Sequence, residues 1–448
     1  MSKFPQNFIW GAASSAYQIE GYPTSDSGGP SVWDVFCSHK GNIFENGSGE
    51  IACDAYHRFE EDLDLLASMG LHAYRFSISW SRVDPQGDGN WNKAGLAYYD
   101  RVIDGCLARG IEPYVTLHHW EMPQAVEERG GWLNPETAEA MARFEGMCAA
   151  HFGSRVKYYF TINEPQIILR LGHFEGIHAP GKKLSEDECL IIWKHLLMSH
   201  GLCSRAIRSA APHAKIGIAS AGGLSYSASE NEADKKAVEK AMFSIEDGFW
   251  MFSHAAFLDP IIFGSTDRMK GTAAQKLCEA LDPSSLEIIH AKPDILGVNA
   301  YFGTEVCACE NGEPVFMPKE TGFPVTALKW PVTPGIMHDG ITALWKRYQL
   351  PIMITENGLS CNDKIFLDGK VHDPDRIDFL TRYLDELSQA AKEADVRGYF
   401  HWSLTDNFEW HSGYGERFGL VFIDYLTQRR ILKDSGYWYR DYIKGATE

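Results

Sequence analysis

The sequence lacks the features that mark membrane proteins, nucleic-acid-binding proteins and secreted proteins. In its 448 residues there is no run of about 18 apolar residues, so no segment is expected to span a bilayer. Acidic side chains outnumber basic ones by 60 to 42, and the formal charge of −18 argues against nucleic acid or an anionic membrane as partner. The first five residues lack the pattern of a secretory signal, so a cytoplasmic location is the expectation.

Metal and redox motifs are scarce as well. The ten cysteines include no C-x-x-C pair, and several fall within predicted helices, so we expect reduced and mostly buried thiols. Cys307 and Cys309 have no further cysteine or histidine nearby to complete a metal site. His118 and His119 would point to opposite sides of a strand, and no glycine-rich phosphate loop follows a strand. We therefore expect no metal and no cofactor.

What the chain does contain is a regular alternation of β-rich and helical segments. Its composition, 44% hydrophobic and 23% charged, is ordinary for a globular protein with a sizeable core. The predicted strands are Phe8–Ala12, Ala73–Ser79, Ile111–His118, Lys157–Ile162, Lys215–Ala219, Ile295–Tyr301, Ile352–Thr355 and Gly398–Ser403. Eight strands alternating with helices predict an α/β fold, a closed (β/α)8 TIM barrel, as a single domain over residues 1–448.

The segments between the strands carry helix signals. Apolar residues recur at steps of three and four between residues 54 and 70 and between residues 96 and 107, and a glycine ends each pattern. Asp373 followed by Pro374 predicts a helix start with Asp373 as the capping residue. Residues 21–53 and 302–337 are predicted to be long loops on the active face.

Two glutamates stand where predicted strands enter loops. Glu164 follows the fourth strand in TINEP, and Glu356 follows the seventh strand in ITENG. In a parallel barrel this strand end is the catalytic face, where the fourth and seventh strands face each other across the mouth. Cleavage of a glycosidic bond needs such a pair, because one acid must protonate the departing oxygen while the other attacks or activates water. The pattern therefore predicts a sugar hydrolase.

Each motif taken singly has an ordinary explanation. Asn, Pro and Gly favour turns, and glutamate is common on protein surfaces. The occurrence of both motifs at strand ends of one barrel favours chemistry over two unrelated turns.

The chain also resembles glycoside hydrolase family 1, the β-glucosidase and β-galactosidase family, from Phe8 to about Tyr442. The stretches that carry the resemblance are FIWGAASSAYQIEG, AYRFSISWSR, LHHWEMPQ, TINEP, GVNAYFG, ITENG, HWSLTDNFEW and RFGLVFIDY. The resemblance implies that Glu164 is the acid/base and Glu356 the nucleophile of a double displacement that retains the β configuration. Retention in turn implies carboxyl groups about 5 to 5.5 Å apart.

The resemblance implies further site residues. Arg75 and Tyr301 would flank the nucleophile, and the fixed charge of Arg75 is expected to depress the pKa of Glu356. Substrate-binding positions are matched by Gln18, His119, Asn163, Asn299, Tyr301 and Glu409 as polar groups and by Trp120, Trp402 and Trp410 as stacking or indole-donor groups. Trp330 resembles the family's platform for the leaving group.

Some positions depart from the family pattern. They include His118, Glu121 and Ala300, and also Arg170 and His173 in a stretch after TINEP that is commonly more apolar. None of them belongs to the catalytic pair, so they bear on the preference for the leaving group.

Three functions are distinguished on these grounds. The leading one is an exo-acting β-glucosidase, with activity on β-galactosides or β-fucosides, that takes cellobiose and other short oligosaccharides or aryl and alkyl glycosides. The second is a 6-phospho-β-glycosidase, which Glu409 disfavours because a carboxylate repels phosphate, and phospho-specific relatives carry a small residue there and a nearby lysine. The third is a non-catalytic carbohydrate-binding relative, disfavoured by the intact Glu164 and Glu356. The expected partner is a small β-glycoside or oligosaccharide, and assembly into a homo-oligomer is left open.

Overall fold

The computed structural model describes residues 3–447, and its centre is a closed barrel of eight parallel strands. The barrel strands are β1 (Ile9–Ala13), β2 (Ala73–Ser77), β3 (Glu112–His118), β4 (Tyr158–Asn163), β5 (Lys215–Ser220), β6 (Ile295–Asn299), β7 (Ile352–Asn357) and β8 (Val396–Trp402). Their order around the barrel follows the chain, with β1 closing onto β8. The predicted TIM barrel is confirmed. Residues 1, 2 and 448 of the predicted single domain lie outside the described residues, and the domain division stays a prediction.

Helices surround the barrel. Those of ten or more residues are Ala55–Ser68, Lys93–Ala108, Glu136–Phe152, Glu186–Ala210, Glu232–Phe243, His254–Phe263, Asp339–Tyr348, Pro374–Glu393 and Asp434–Thr447. Shorter ones are Ala16–Ile19, Val32–Ser38, Trp80–Val83, Gln124–Glu128, Pro165–Ile167, Ala274–Ala280 and Pro283–Ile289, and a π-helical turn covers Ile168–Phe174. Single 3-10 turns lie at Ser25–Ser27, Phe44–Asn46, Gly131–Leu133, Gly153–Arg155, Trp250–Phe252, Pro334–Met337 and Trp410–Ser412.

The start of one predicted helix differs from expectation. The helix Pro374–Glu393 does begin after Asp373, but the Asp373 side chain does not cap it. Its carboxylate instead pairs with Arg376 and accepts hydrogen bonds from the backbone and the hydroxyl of Ser435, at 2.8 and 2.6 Å. The predicted capping role was wrong because a buried ion pair takes the carboxylate away from the helix end.

The barrel interior is filled by large side chains set against glycines. On β4 and β8, the rings of Phe160 and Phe400 point inward. Their partners on the neighbouring strands are Gly217 and Gly11, where a Cβ would lie 2.5 and 2.6 Å from the two rings. Because packed interiors leave no space for such overlaps, glycine on one strand makes room for phenylalanine on the next. The packed rings form the floor beneath the mouth of the barrel.

The two predicted loops contain regular structure. The helix Val32–Ser38 lies within residues 21–53. Within 302–337, the strands Gly303–Ala308 and Pro314–Phe316 join Leu224–Ser227 in a three-stranded sheet. The prediction of plain loops was wrong here, because this pairing satisfies backbone groups that a loop would leave to solvent. A separate antiparallel pair is formed by Val421–Asp424 and Arg429–Leu432.

The sequence predicts no membrane span, mostly buried thiols and no metal site. Among residues 3–447 no helix has the length and apolarity needed to cross a bilayer. The ten cysteines are free and seven of them are buried, so the prediction of mostly buried thiols is confirmed. In the same part of the chain no group of three or more His, Cys, Asp or Glu side chains is arranged to hold a metal ion.

Candidate active site

Both predicted catalytic glutamates lie where the strand register shifts at the carboxyl end of the barrel. β4 ends at Asn163, and Glu164 follows with a left-handed φ of 48°. Glu356 is the penultimate residue of β7, and the pairing of β7 with β6 shifts between Ile354 and Glu356. The pairing of β4 with β5 shifts between Phe160 and Asn163. Such irregularities re-aim side chains and are common beside active sites.

The two carboxyls share one cavity in the mouth of the barrel. Its volume is about 470 Å³, within the range of small-molecule sites. The other predicted site residues that line it are His119, Trp120, Asn299, Tyr301, Trp330, Trp402, Glu409 and Trp410. Gln18, Asn163 and Arg75 lie fully buried behind this wall and contact lining residues. The structure thus brings all the predicted site residues together.

Glu356 is bound on both oxygens. Arg75 Nη1 donates to its Oε1 at 2.7 Å, and the Tyr301 hydroxyl donates to its Oε2 at 2.7 Å. Arg75 is itself held, because its Nε donates to Thr116 Oγ1 at 3.1 Å and its Nη2 donates to Asn163 Oδ1 at 2.7 Å. The guanidinium therefore ties β2 to β3, β4 and β7, and the carboxylate that it faces has one fixed orientation.

Glu164 has a neutral partner instead of a charged one. Asn299 Nδ2 donates to Glu164 Oε1 at 2.6 Å. The orientation of this amide is fixed, because the Thr355 hydroxyl donates to Asn299 Oδ1 at 2.6 Å. Glu164 and Glu356 are 6% and 4% exposed, so similar burial is combined with different hydrogen bonding.

These environments separate the two carboxyls in pKa. Burial, followed by the nearby charge of Glu356, raises the pKa of Glu164 to about 8. Burial also raises the pKa of Glu356 above its ordinary value, while Arg75 and the hydrogen bond from Tyr301 oppose the rise. Arg75 acts in the predicted direction, but the prediction of a depressed pKa was wrong, because the desolvation of a buried carboxylate outweighs its attraction to the arginine. The pair therefore places its first proton on Glu164.

A third carboxyl lies on the far side of the cavity. Burial, and then the charges of Glu356 and Glu416, raise the pKa of Glu409 to about 8. Gln18 Nε2 lies 3.4 Å from Glu409 Oε2 and donates to the Phe408 carbonyl at 2.8 Å. The amide of Gln18 is thereby oriented toward Glu409, which lines the cavity.

A histidine, an asparagine and a tryptophan form the side of the cavity next to β4. Asn163 Nδ2 lies 3.1 Å from His119 Nε2, and burial lowers the pKa of His119 well below its usual range, so the ring is neutral. The Trp120 indole donates to the Asn163 carbonyl at 2.9 Å. Its N–H is therefore used within the protein, and the ring face is what Trp120 offers to the cavity.

Three site residues have left-handed backbones, namely Trp120, Glu164 and Trp410, with φ of 74°, 48° and 49°. A non-glycine residue in this region costs on the order of 1 kcal/mol or more, and such residues cluster at functional sites. The rings of Trp120 and Trp410 lie 4.6 Å apart, and Trp410 packs on Trp33 at 4.5 Å. Aromatic packing thus holds two of the three strained residues in place.

Several residues of the site were missed in the sequence. Thr116 orients Arg75, and Thr355 orients Asn299. Two signals were available in the sequence: Thr116 lies on the strand that pairs with the strand of Arg75, and Thr355 directly precedes Glu356. His178 and His411 also line the cavity and lie 3.0 Å apart through Nε2 and Nδ1. The outer wall contains further apolar residues, Leu171, Leu224, Phe249, Phe252 and Phe302, from three separate connections. No strand pattern could have brought these together.

Known proteins resemble this chain along its whole length. The model of glycosyl hydrolase family 1 matches residues 1–447. The chain is 37% identical to β-glucosidase A of Thermotoga maritima, over 99% of the chain and 98% of that protein. It is 38% identical to a bifunctional β-D-glucosidase/β-D-fucosidase of Bifidobacterium breve, over 98% of both. The solved structure of a Thermotoga maritima β-glucosidase in complex with glucoimidazole matches with a TM-score of 0.89 at 37% identity, over 100% of both chains.

Proposed function

Since the chain belongs to glycosyl hydrolase family 1 and is a glycoside hydrolase of the β-glucosidase kind, we propose that it is exo-acting and retaining. Its substrates would be terminal, non-reducing β-D-glucosyl residues, released by double displacement. The observation that carries the proposal is the unequal treatment of two carboxyls in one cavity. Arg75 and Tyr301 bind Glu356, whereas a neutral amide binds Glu164. Because the cavity ends on the packed floor of the barrel, a sugar chain can enter it only by its end, and this supports exo action.

The first step assigns one role to each acid. Glu356 attacks the anomeric carbon while Glu164 gives its proton to the departing oxygen, which leaves a glycosyl ester on Glu356 and a carboxylate on Glu164. The higher pKa of Glu164 supports this assignment, because the acid must start protonated.

The second step reverses the role of Glu164. It takes a proton from a water molecule that attacks the anomeric carbon, and Glu356 departs as a carboxylate. The charge of Glu356 is one cause of the raised pKa of Glu164, and the ester removes that charge. The pKa of Glu164 therefore falls at the stage where it must act as a base.

The remaining polar groups suit a sugar. Asn163, directly before the acid/base, lies between Arg75 and His119, and its amide nitrogen is 3.1 Å from His119, which lines the cavity. A 2-hydroxyl bound beside His119 would lie next to this amide. Glu409 can accept from two hydroxyls on the far side of the sugar, and Trp402 and Trp410 offer apolar ring faces. The solved Thermotoga maritima relative is described in complex with glucoimidazole, which agrees with a glucosyl site here.

A 6-phosphosugar fits this cavity poorly. Glu409 stands on the far wall, and the charge of a second carboxyl, Glu416, reaches it. A phosphate dianion there would meet the negative charges of Glu356 and Glu416, which already raise the pKa of Glu409, and this disfavours the 6-phospho-β-glycosidase alternative. The intact pairing of Glu356 with Arg75 and Tyr301 disfavours a non-catalytic relative. The Bifidobacterium breve relative supports our proposal that β-fucosides are accepted too, and we extend it to β-galactosides.

A substrate panel with product stereochemistry tests the proposal. Initial rates would be measured on nitrophenyl β-glucoside, β-galactoside, β-fucoside and 6-phospho-β-glucoside, and the first-formed sugar would be followed by proton NMR. We expect the glucoside to be cleaved at least about 100-fold faster than its 6-phosphate, with β-glucose appearing first. α-Glucose as the first product would show inversion and refute the roles given to the two glutamates.

Cytoplasmic location and the state of assembly stay predictions. Fractionation of the source cells would check the first, and size-exclusion chromatography with light scattering would check the second. The partner that we propose is a small β-glycoside, without nucleic acid or membrane.

A further inference from the structure

The cavity has an inner and an outer half of opposite character. The inner half contains the buried carboxyls and their polar neighbours. The outer half is lined by Leu171, Leu224, Phe249, Phe252 and Phe302. Two of these residues reach solvent, since Phe249 is 71% exposed and Phe302 is 42% exposed, while Leu224 is buried. We call these five residues the apolar rim.

The apolar rim lies on the side of the acid/base. The helix Pro165–Ile167 begins directly after Glu164, and the π-helical turn that follows it carries Leu171 into the cavity. A leaving group must pass from Glu164 toward solvent because Glu164 protonates its oxygen. The apolar rim is therefore what the leaving group meets.

Arg170, which departs from the family pattern, holds part of this rim. Its Nη1 donates to the Gly248 carbonyl at 2.8 Å, and its guanidinium carbon lies 5.2 Å from the centre of the Phe252 ring. Its Nε donates to Glu175 Oε1 at 2.6 Å, which fixes the side chain. The π-helical turn, a form of helix frequent at functional sites, thus connects the acid/base segment to the segment that carries Phe249 and Phe252.

Beyond the apolar rim, the outer lining contains His178, His411 and Ser412 as polar side chains. His178 Nε2 and His411 Nδ1 lie 3.0 Å apart, so one ring nitrogen of each histidine is used within the protein. Trp330, 5.3 Å from the Phe302 ring, adds another aromatic face. At the apolar rim itself, a sugar leaving group would bring hydroxyls against five side chains that cannot hydrogen-bond, and unpaired polar groups are costly when water is removed. An alkyl chain or aryl ring gains from the same contacts.

We infer that the apolar rim, positioned by Arg170, selects β-glucosides with an alkyl or aryl leaving group over those whose leaving group is a second sugar. This inference rests on the proposed β-glucosidase function. It narrows the substrate class, because disaccharides such as cellobiose become poor substrates.

A series of alkyl β-glucosides tests this inference, because every leaving group in the series is an alcohol of the same kind. The kcat/KM would be measured for methyl, hexyl and octyl β-D-glucoside, below micelle-forming concentrations, and for cellobiose. We expect kcat/KM to rise about tenfold or more from methyl to octyl, since each buried methylene favours binding, and octyl β-glucoside to exceed cellobiose. A flat series, or cellobiose above octyl β-glucoside, would overturn the inference while leaving β-glucosidase action intact. Absence of turnover on every β-glucoside would overturn the proposed function and the inference with it.

Two matched variants test whether the apolar rim causes the preference for long alkyl chains. Phe249→Ser is expected to lower the octyl-to-methyl ratio of kcat/KM by about three- to tenfold. Phe316→Ser serves as control, because Phe316 is 57% exposed and lies outside the cavity lining, and the ratio should not change. An unchanged ratio in Phe249→Ser, or equal losses in both variants, would refute the role of the rim.

Arg170→Ala tests the positioning role separately. We expect the KM for octyl β-glucoside to rise about threefold or more, with a smaller change for methyl β-glucoside, because the rim loses its support. A merely structural role would instead lower kcat for both substrates together. That result, or no change in either KM, would contradict the assignment of Arg170.

Discussion

Two buried clusters of charge in this protein differ in their balance. In the catalytic cluster, Arg75 pairs with Glu356 and its charge acts on Glu164, while Glu409 lines the same cavity. The second cluster, which we call the balanced cluster, joins the loop after β7, the helix after it and the loop after β8. Its members are Asp363, Asp373, Asp406, Arg376, Arg417 and Lys433.

In the balanced cluster each acid has a close cation. Lys433 Nζ lies 2.5 Å from Asp363 and 2.6 Å from Asp406, Arg376 pairs with Asp373, and Arg417 pairs with Asp406 at 2.6 Å. Burial alone would raise the pKa of Asp363, but Lys433 and then Arg376 bring it below its usual value.

The comparison shows how one protein uses buried acids in two ways. Asp363, beside two cations, keeps a pKa below its usual value, and the ion pairs of the balanced cluster connect loops to the barrel. In the catalytic cluster burial, followed by the charge of Glu356, raises the pKa of Glu164 and of Glu409 to about 8. Burial beside another carboxylate is therefore what provides an acid that can exchange a proton near neutral pH.

Removal of the nucleophile should produce the largest effect. Glu356→Ala is expected to lower kcat by about 10⁵-fold or more, because no side chain remains to form the ester. Added azide should restore turnover and yield α-glucosyl azide, identified by NMR. Glu393→Ala, at an exposed helical position, is the control and should keep wild-type rates. A β-azide from Glu356→Ala would reverse the two catalytic roles.

Removal of the acid should depend on the substrate. Glu164→Ala is expected to lower kcat/KM by about 10²- to 10⁴-fold for poor leaving groups and much less for dinitrophenolate, which departs without a proton. Azide should then give the β-glucosyl product. Equal losses for all leaving groups would contradict the acid role.

Breaking the balanced cluster should affect stability instead of chemistry. Lys433→Met leaves Asp363 and Asp406 without their shared cation and is expected to lower the free energy of unfolding by about 3–5 kcal/mol, measured in urea. Lys392→Met, on the exposed face of Pro374–Glu393, is the control and should cost little. If the two variants were equally stable, buried charge balance would not be what stabilises this region.

The pH dependence of kcat/KM should be bell-shaped. Activity should fall as pH rises through about 8, because Glu164 must be protonated, and should fall toward low pH, because Glu356 must be ionised. Tyr301→Phe removes a hydrogen bond that favours ionised Glu356, so the acidic limb should move to higher pH. Tyr437→Phe, at a position 47% exposed, is the matched control. An acidic limb that stayed in place would show that Tyr301 does not control the ionisation of Glu356.

A lone buried acid outside both clusters should give the smallest effect. Glu145, on the helix Glu136–Phe152, lies beside the weakly donating thiol of Cys203 on the helix Glu186–Ala210, and among residues 3–447 no N–H or O–H group donates to its carboxyl oxygens. Burial raises its pKa well above the usual value, so it is neutral when folded and ionised when unfolded at neutral pH. That difference lowers stability as pH rises above the unfolded-state pKa.

Glu145→Met should therefore raise the free energy of unfolding at pH 7 by about 1–3 kcal/mol, with less gain near pH 4, in parallel urea titrations. Exposed Glu139→Met, on the same helix, should change little at either pH. A loss of stability, or an equal gain at both pH values, would show that Glu145 makes a favourable contact in the fold.

Local sequence signals predicted the barrel well where strands end abruptly. The strand β7 is a β-branched and apolar run that ends in Glu356, Asn357 and Gly358, and the same logic placed β4 before Glu164. Pairings between distant segments escaped prediction. Leu224–Ser227 and Gly303–Ala308 pair across about 80 residues, and no local pattern indicates which segment will lie beside another.

The amino-acid sequence by itself determined the eight-stranded barrel and the two glutamates at its mouth, because strand periodicity and turn residues act over a few neighbouring positions. The tertiary structure alone decided the net pKa of Glu356, the ion pair that diverts Asp373 from its helix and the apolar rim held by Arg170. These properties depend on burial and on charges brought from remote parts of the chain, and both exist only when the barrel and its connections are packed together.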